Sequence, residues 1–331
     1  MYETRFGLRR RPFRATPDLD SYYPATSHEC ALARLLQAIA DDEGLALLTG
    51  DVGMGKTLIG HCLLDRLGST ASTAFLTNSH LGGRAGLLQA ILYDFSLPYQ
   101  GLSEQELRLA LTDFLLKNYA AGRRTVVILD EAQHLPADLL EELRLLGNLE
   151  ARGGKAFQAV LLGQPALLET LRRPELAAFN QRLTVRLRLD PLGLDEAVDY
   201  LLHQLRIAGG RPQAIVSDEA LQILAAGARG VPRLLNQAAH QALLLADAAG
   251  ADLVDAEAAM EALALLGLDV ETGSTPEECC IRAVDEEDRE GPGAALAEPT
   301  NPVPDDPPVV LAPVEPDEPS CRLFDSPRRP A

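Results

Sequence analysis

The chain has no tryptophan, three methionines and only 5% aromatic residues, although 47% of it is hydrophobic. A core built without large rings must be mainly Leu, Ala, Val and Ile, a composition that favours helix. No run of about 18 apolar residues occurs, so no membrane span is expected. The five arginines between Met1 and Arg14 lack a following apolar stretch, so no signal peptide is expected either. Cysteine is sparse and odd in number: Cys30, Cys62, Cys279, Cys280 and Cys321, with no Cys-x-x-Cys pair. That pattern offers neither a disulfide framework nor a thiolate metal site. Idle thiols suit a reducing, cytoplasmic setting.

At 331 residues the chain is long enough for about two domains. Its net charge of −18 is unevenly spread, because residues 267–331 hold 16 acidic and 5 basic residues. Twelve of the 22 prolines lie in the same stretch. Such a segment buries too little apolar surface to offset its ordering entropy, so we expect a disordered tail over 267–331.

From about Leu45 to Arg188, short apolar runs alternate with helical spacing. Strands are expected at Leu45–Thr49, Thr73–Leu76, Thr125–Leu129, Phe157–Leu162 and, less buried, Leu183–Leu189. Helices are expected at Lys56–Leu67, Leu81–Phe95, Ser103–Ala121 and Ala137–Glu150, the third opened by a Ser103/Glu106 capping box. Strands alternating with helices imply an α/β fold with a parallel sheet covered on both faces. After Asp190-Pro191 only helical segments follow: Leu194–Ala208, Asp218–Ala226, Pro232–Ala248 and Ala256–Leu265. The expected division is an α/β domain over 1–190, a small helical domain over 191–266, and the tail.

Gly50-Asp51-Val52-Gly53-Met54-Gly55-Lys56-Thr57 fits the pattern G-x-x-x-x-G-K-[ST], with an apolar strand before it and a helix after it. Glycines let the backbone curl so that successive N–H groups point at phosphate oxygens, and the helix offers its positive end to the same anion. Lys56 would reach the β- and γ-phosphates of ATP, and the Thr57 hydroxyl would ligate Mg2+. The strand Val126-Val127-Ile128-Leu129 ends in Asp130-Glu131. There one carboxylate can serve the metal and the other can polarise the attacking water. Arg182, Arg233 and the strand-end amide Gln164 are further candidates for contact with a transferring phosphoryl group.

Several ordered runs resemble the general secretion pathway protein A (ExeA-type) ATPases. They are Met1-Tyr2 to Leu8, Pro12-Phe13, Thr16-Pro17-Asp18, His28, Gly50 to Thr57, Leu129 to Gln133, Leu162 to Pro165, Gln181-Arg182 and Gly230 to Arg233. The resemblance covers about residues 1–266 and implies a AAA+ P-loop module with a helical lid. It makes Lys56 and Thr57 Walker A, Asp130 and Glu131 Walker B, and Gln164 a sensor-1 residue. It makes Arg233 a sensor-2 residue and Arg182 an arginine finger acting across a subunit boundary, with Arg186 and Arg188 close by as alternatives. Proteins of that family continue into a membrane helix and a periplasmic region, where this chain has its acidic tail. Transposition-helper ATPases of the TniB type share a similar core.

Three functions follow as expectations. The first is a cytoplasmic ATP-driven switch or motor serving a secretion or pilus-type envelope system through a protein partner. Its subunits would meet head to tail in a ring or helix. The second is a DNA-associated ATPase using the N-terminal arginines and Arg172-Arg173, a reading opposed by the acidic body. The third is a nucleotide-gated scaffold with little turnover. Within the tail, Leu323-Phe324 could anchor in a partner's groove.

Overall fold

The computed structural model describes residues 2–77, 81–151 and 154–268, so the expected tail lies outside the described residues beyond its first two positions. The helices are α1 (Tyr2–Arg5), α2 (Thr26–Ala40), α3 (Lys56–Leu67), α4 (Gly83–Asp94), α5 (Glu104–Ala120), α6 (Ala137–Leu146), α7 (Ala166–Leu171), α8 (Ala177–Asn180), α9 (Leu194–Ile207), α10 (Asp218–Gly227), α11 (Pro232–Ala249) and α12 (Ala256–Leu265). The strands are β1 (Leu45–Thr49), β2 (Ala71–Leu76), β3 (Arg124–Leu129), β4 (Glu150–Ala151), β5 (Gly154–Lys155), β6 (Gln158–Gly163) and β7 (Leu183–Arg188).

Five strands form a parallel sheet in the order β2-β3-β6-β1-β7. β1 is buried at all five positions, as its unbroken apolar run requires with strands on both sides and helices on both faces. β7 lies at an edge, which explains its alternation of buried Leu183 and Leu187 with Thr184 and Arg188. One face of the sheet packs with α4, α5 and α6, using Leu88, Ile91, Leu111, Leu115 and Leu140. The other packs with α2 and α3, using Leu32, Leu35, Ile59 and Leu63.

Ser103 caps α5 in a complete capping box with Glu106. α6 corrects one expectation: it ends at Leu146 rather than running to Glu150. Gly147-Asn148 stops it, since both residues favour turns over helix interior, and the chain then enters the β4–β5 hairpin. α2 was not anticipated, although its buried Ala31, Leu32, Leu35, Ala38 and Ile39 have the spacing of one helix face.

A second core joins α9 to α12 through residues such as Leu201, Leu224, Leu235 and Leu263. Tyr2, Phe6, Leu8 and Phe13 are buried in this same core. The N-terminal stretch therefore packs on the helical part of the molecule, where Tyr2 Oη lies 2.9 Å from His240 Nδ1. Among the described residues, no helix is long and apolar enough to cross a membrane.

Candidate functional site

In an open parallel sheet, the carboxyl ends of the strands carry the ligand crevice. Here β1, β3 and β6 stand side by side and deliver the phosphate loop, the Asp130-Glu131 pair and Gln164 to one rim. The loop leaves β1 at Gly50, whose N–H donates to the Gly163 carbonyl at 3.2 Å, tying it to the end of β6. Gly53 and Gly55 adopt φ of +87° and +86°, a region that side chains disfavour. Gly55 then caps α3 through its carbonyl, which accepts from Ile59 N–H at 3.0 Å. Asp51 and Val52 are exposed at the loop's crest, whereas Met54 is buried beneath it.

Lys56 is buried, and its ammonium donates to the carbonyls of Gly50 (2.8 Å) and Asp51 (2.9 Å). Burial pushes its pKa down, opposed by the nearby carboxylates of Glu131, Asp130 and Asp51. Thr57 Oγ1 donates to Asp130 Oδ2 at 2.6 Å, bringing the two expected metal ligands together. Asp130 is buried at the β3 end, with Oδ1 accepting from Glu131 N–H at 2.9 Å.

Glu131 has φ +53°, unusual for a residue with a side chain. Its Oε2 accepts from Gln133 Nε2 at 2.5 Å, and Gln133 Oε1 accepts from Gln164 N–H at 3.0 Å. Arg233, exposed in the first turn of α11, reaches the loop from the helical part: its N–H donates to the Gly53 carbonyl at 3.2 Å. A Cβ on Gly53 would lie 2.7 Å from Arg233 Cβ. The sharp turn that sends the chain there uses Gly230, where a Cβ would meet the Leu192 carbonyl oxygen at 2.0 Å.

Arg182, Arg186 and Arg188 lie along the edge strand β7 and its approach, with Arg188 in register beside Thr49 at the end of β1. Arg182 is exposed and makes no ion pair among the described residues. Arg186 donates to Asn180 Oδ1 and the Asn180 carbonyl, and Arg188 faces Asp190 at 3.7 Å. Among the described residues, no group of three or more His, Cys, Asp or Glu side chains is gathered as a metal site. Cys62 is buried and its thiol is pushed up to about 11 by burial, which leaves it protonated at neutral pH.

Sequence reasoning gave no part to two side chains that hold this site. His28, on the first turn of α2, is buried; its Nε2 lies 2.8 Å from the Met54 carbonyl, a distance at which it donates. Burial lowers the His28 pKa, so the ring is neutral. Gln133 is the other, and its two hydrogen bonds join the β3 and β6 ends. Only His28's place in the family resemblance and Gln133's place in the Asp130-Glu131 run could have drawn attention to them.

Residues 39–171 match the family described as AAA domain. The chain is 43% identical over 251 residues to general secretion pathway protein A of Aeromonas hydrophila, covering 76% of this chain and 46% of that protein. It therefore spans a little under half the length of that relative. The fold matches Aeropyrum pernix ORC2 in its ADPNP-ADP complexes, with TM-score 0.59, 20% identity, and coverage of 77% and 71% of the two chains. It also matches Aeropyrum pernix ORC1 in complex with DNA (TM-score 0.59, 21% identity, 78% and 69% covered). A third match is the Thermotoga maritima RuvB Holliday junction branch migration motor (TM-score 0.50, 18% identity, 73% and 70% covered). By sequence the chain carries an AAA domain over residues 39–171 and is similar to general secretion pathway protein A over three-quarters of its own length, and its parallel sheet followed by a helical region matches the fold of these solved structures.

Proposed function

We propose that the chain binds and hydrolyses ATP and uses the cycle as a cytoplasmic switch or motor for an envelope secretion system, acting through a protein partner. The observation that carries the hydrolysis reading is the meeting of Lys56, Thr57, Asp130, Glu131 and Gln164 at adjacent strand ends, with Arg233 of the lid against Gly53.

In this reading the loop N–H groups of Gly53 to Thr57 receive the phosphates. The Lys56 ammonium leaves its two backbone carbonyls for β- and γ-phosphate oxygens, exchanging weak acceptors for charged ones. The Thr57 hydroxyl and Asp130 carboxylate present two hard oxygens, a donor set that fits Mg2+. When bound, that ion neutralises charge on the phosphates. Glu131 accepts a hydrogen bond from the attacking water and orients it, while Gln164 and Arg233 contact the γ-phosphate. Arg182, exposed and without an ion-pair partner among the described residues, serves the neighbouring subunit's nucleotide in a head-to-tail ring or helix.

A protein partner is favoured over duplex DNA because much of the basic N-terminus is already engaged. Arg5 donates to Asp247 at 2.8 Å, and Arg10 and Arg14 face Asp18 at 3.6 and 3.3 Å. The secretion assignment rests on the 43% identity to general secretion pathway protein A.

Steady-state ATP hydrolysis, with and without duplex DNA, tests the reading beside Lys56→Ala and Glu131→Gln. We expect turnover that DNA does not change and that both substitutions abolish, with Glu131→Gln still binding ATP. Turnover stimulated by DNA would replace the envelope reading with the DNA-associated one; ATP binding without turnover would leave a scaffold. Arg182→Ala is expected to lower turnover of the assembly, and mixing it with Lys56→Ala subunits is expected to restore part of it.

A further inference from the structure

We infer that Gln133 is a positioning residue that holds the Glu131 carboxylate at a fixed angle and locks it to the Gln164 loop; the inference rests on the ATPase reading above. The amide orientation follows from its partners. Gln164 N–H can only donate, so the Gln133 atom facing it, 3.0 Å away, must be the carbonyl oxygen. The amide nitrogen then points at Glu131 Oε2, 2.5 Å away, where an ionised carboxylate can only accept. No alternative flip satisfies both contacts.

Two further features confine this bridge. Gly163 packs beside it: a Cβ there would be in ordinary contact with Gln133 Oε1 (3.4 Å) and Gln133 N (3.5 Å), and crowded only by Leu167 Cδ2 at 2.9 Å. Glu131 itself sits at φ +53°, a conformation that costs free energy unless its surroundings hold it. With Oε2 engaged by the amide, Oε1 is the oxygen left to accept from a water. Gln133 thus orients one carboxylate oxygen without touching phosphate, and any shift of the Gln164 loop on β6 moves the carboxylate on β3.

Gln133→Glu separates this role from a structural one, because the new carboxylate still accepts from Gln164 N–H but cannot donate to Glu131. We measure kcat and KM for ATP, and ADP affinity as a check on the folded loop. Gln133→Glu is expected to lower kcat by about tenfold or more, with KM and ADP affinity within about twofold of the parent chain. Gln133→Ala is expected to show the same split, a lower kcat with KM and ADP affinity held. Parental turnover together with a Gln133→Glu kcat within about twofold of it would overturn this inference alone. Absence of turnover in the parent would overturn the ATPase reading, and this inference with it.

Discussion

Placing a methyl group at Gly53 tests the contact between the phosphate loop and the lid before any nucleotide is involved. Gly53→Ala incurs two separable costs. The residue is at φ +87°, which a Cβ disfavours by about 1–2 kcal/mol. The new Cβ would also stand 2.7 Å from Arg233 Cβ and 3.2 Å from Val231 Cγ1. Neither is the free end of a flexible chain, so α11 must shift, and overpacking of this kind costs about 1–3 kcal/mol. Taking roughly 3 kcal/mol in all, and about 2–4 °C per kcal/mol for a body of this size, Tm should fall by about 6–12 °C. Gly122→Ala is the control: its φ is +71° but nothing lies within 4 Å of the added Cβ, so it bears only the backbone cost, about 3–6 °C. Adding Arg233→Gly to Gly53→Ala should recover the steric part, read as a coupling free energy in a double-mutant cycle. Equal losses for Gly53→Ala and Gly122→Ala, with no coupling to position 233, would refute the reasoning.

Removing the ring of His28 leaves the Met54 carbonyl without its donor; at about 1–3 kcal/mol for a stranded buried acceptor, His28→Ala should weaken ATP binding about tenfold by calorimetry. Burial lowers the pKa of both His28 and His240 below the ordinary 6.5, so the unfolded chain takes up protons that the folded chain refuses. Stability should be full above about pH 6.5 and decline as pH falls towards the lowered folded values, and urea unfolding at pH 7.5 and 5.5 should show His240→Phe flattening that decline. Arg108→Ala should destabilise by about 3 kcal/mol in urea unfolding, because it strands the fully buried Glu142 carboxylate, whose Oε1 already lacks a partner. Glu142→Leu, which removes the buried carboxyl, should cost less than Arg108→Ala.

The parts of the molecule legible in the sequence are those whose determinants are local. The loop from Gly50 to Thr57 must curl because its glycines and the following helix dictate it, and β3 ends in the apolar run Val126 to Leu129, which reads as a buried strand. Asp130 and Thr57 are 73 residues apart, yet each could be assigned from its own neighbourhood because each ends a recognisable element. What resisted reading depends on distant partners. Tyr2, Phe6 and Leu8 look like an arginine-rich surface segment until His240 and the helices after Leu192 are folded against them. The end of α6 was missed because the stop at Gly147-Asn148 was read through, the apolar spacing continuing to Leu149. Gln133 falls in the Asp130-Glu131 run, but nothing in one dimension gives it a task, since its meaning is the distance between two strand ends.

The glycines of the phosphate loop answer to two constraints, and this bears on how their substitution is interpreted. Gly53 admits the phosphate-facing curl, but it also admits Arg233. Gly55 allows the turn into α3, but a Cβ there would lie 3.2 Å from His28 Nε2, against the ring that holds the Met54 carbonyl. The loop is therefore set by α2 and α11 as much as by its own backbone. The chain enters α2 where Thr26 N–H donates to Glu196 of α9 at 2.6 Å, and Ser27 Oγ lies 3.4 Å from the Asp190 carbonyl, where the chain leaves the sheet for the lid. Both connections between the two cores thus run beside the loop. A glycine variant that fails to bind ATP has lost this support as well as the phosphate contact. Lys56→Ala leaves the contacts to α2 and α11 in place, so loss of ATP binding in that variant reports the ammonium itself, as phosphate contact and as donor to the Gly50 and Asp51 carbonyls, and not the support from α2 or the lid.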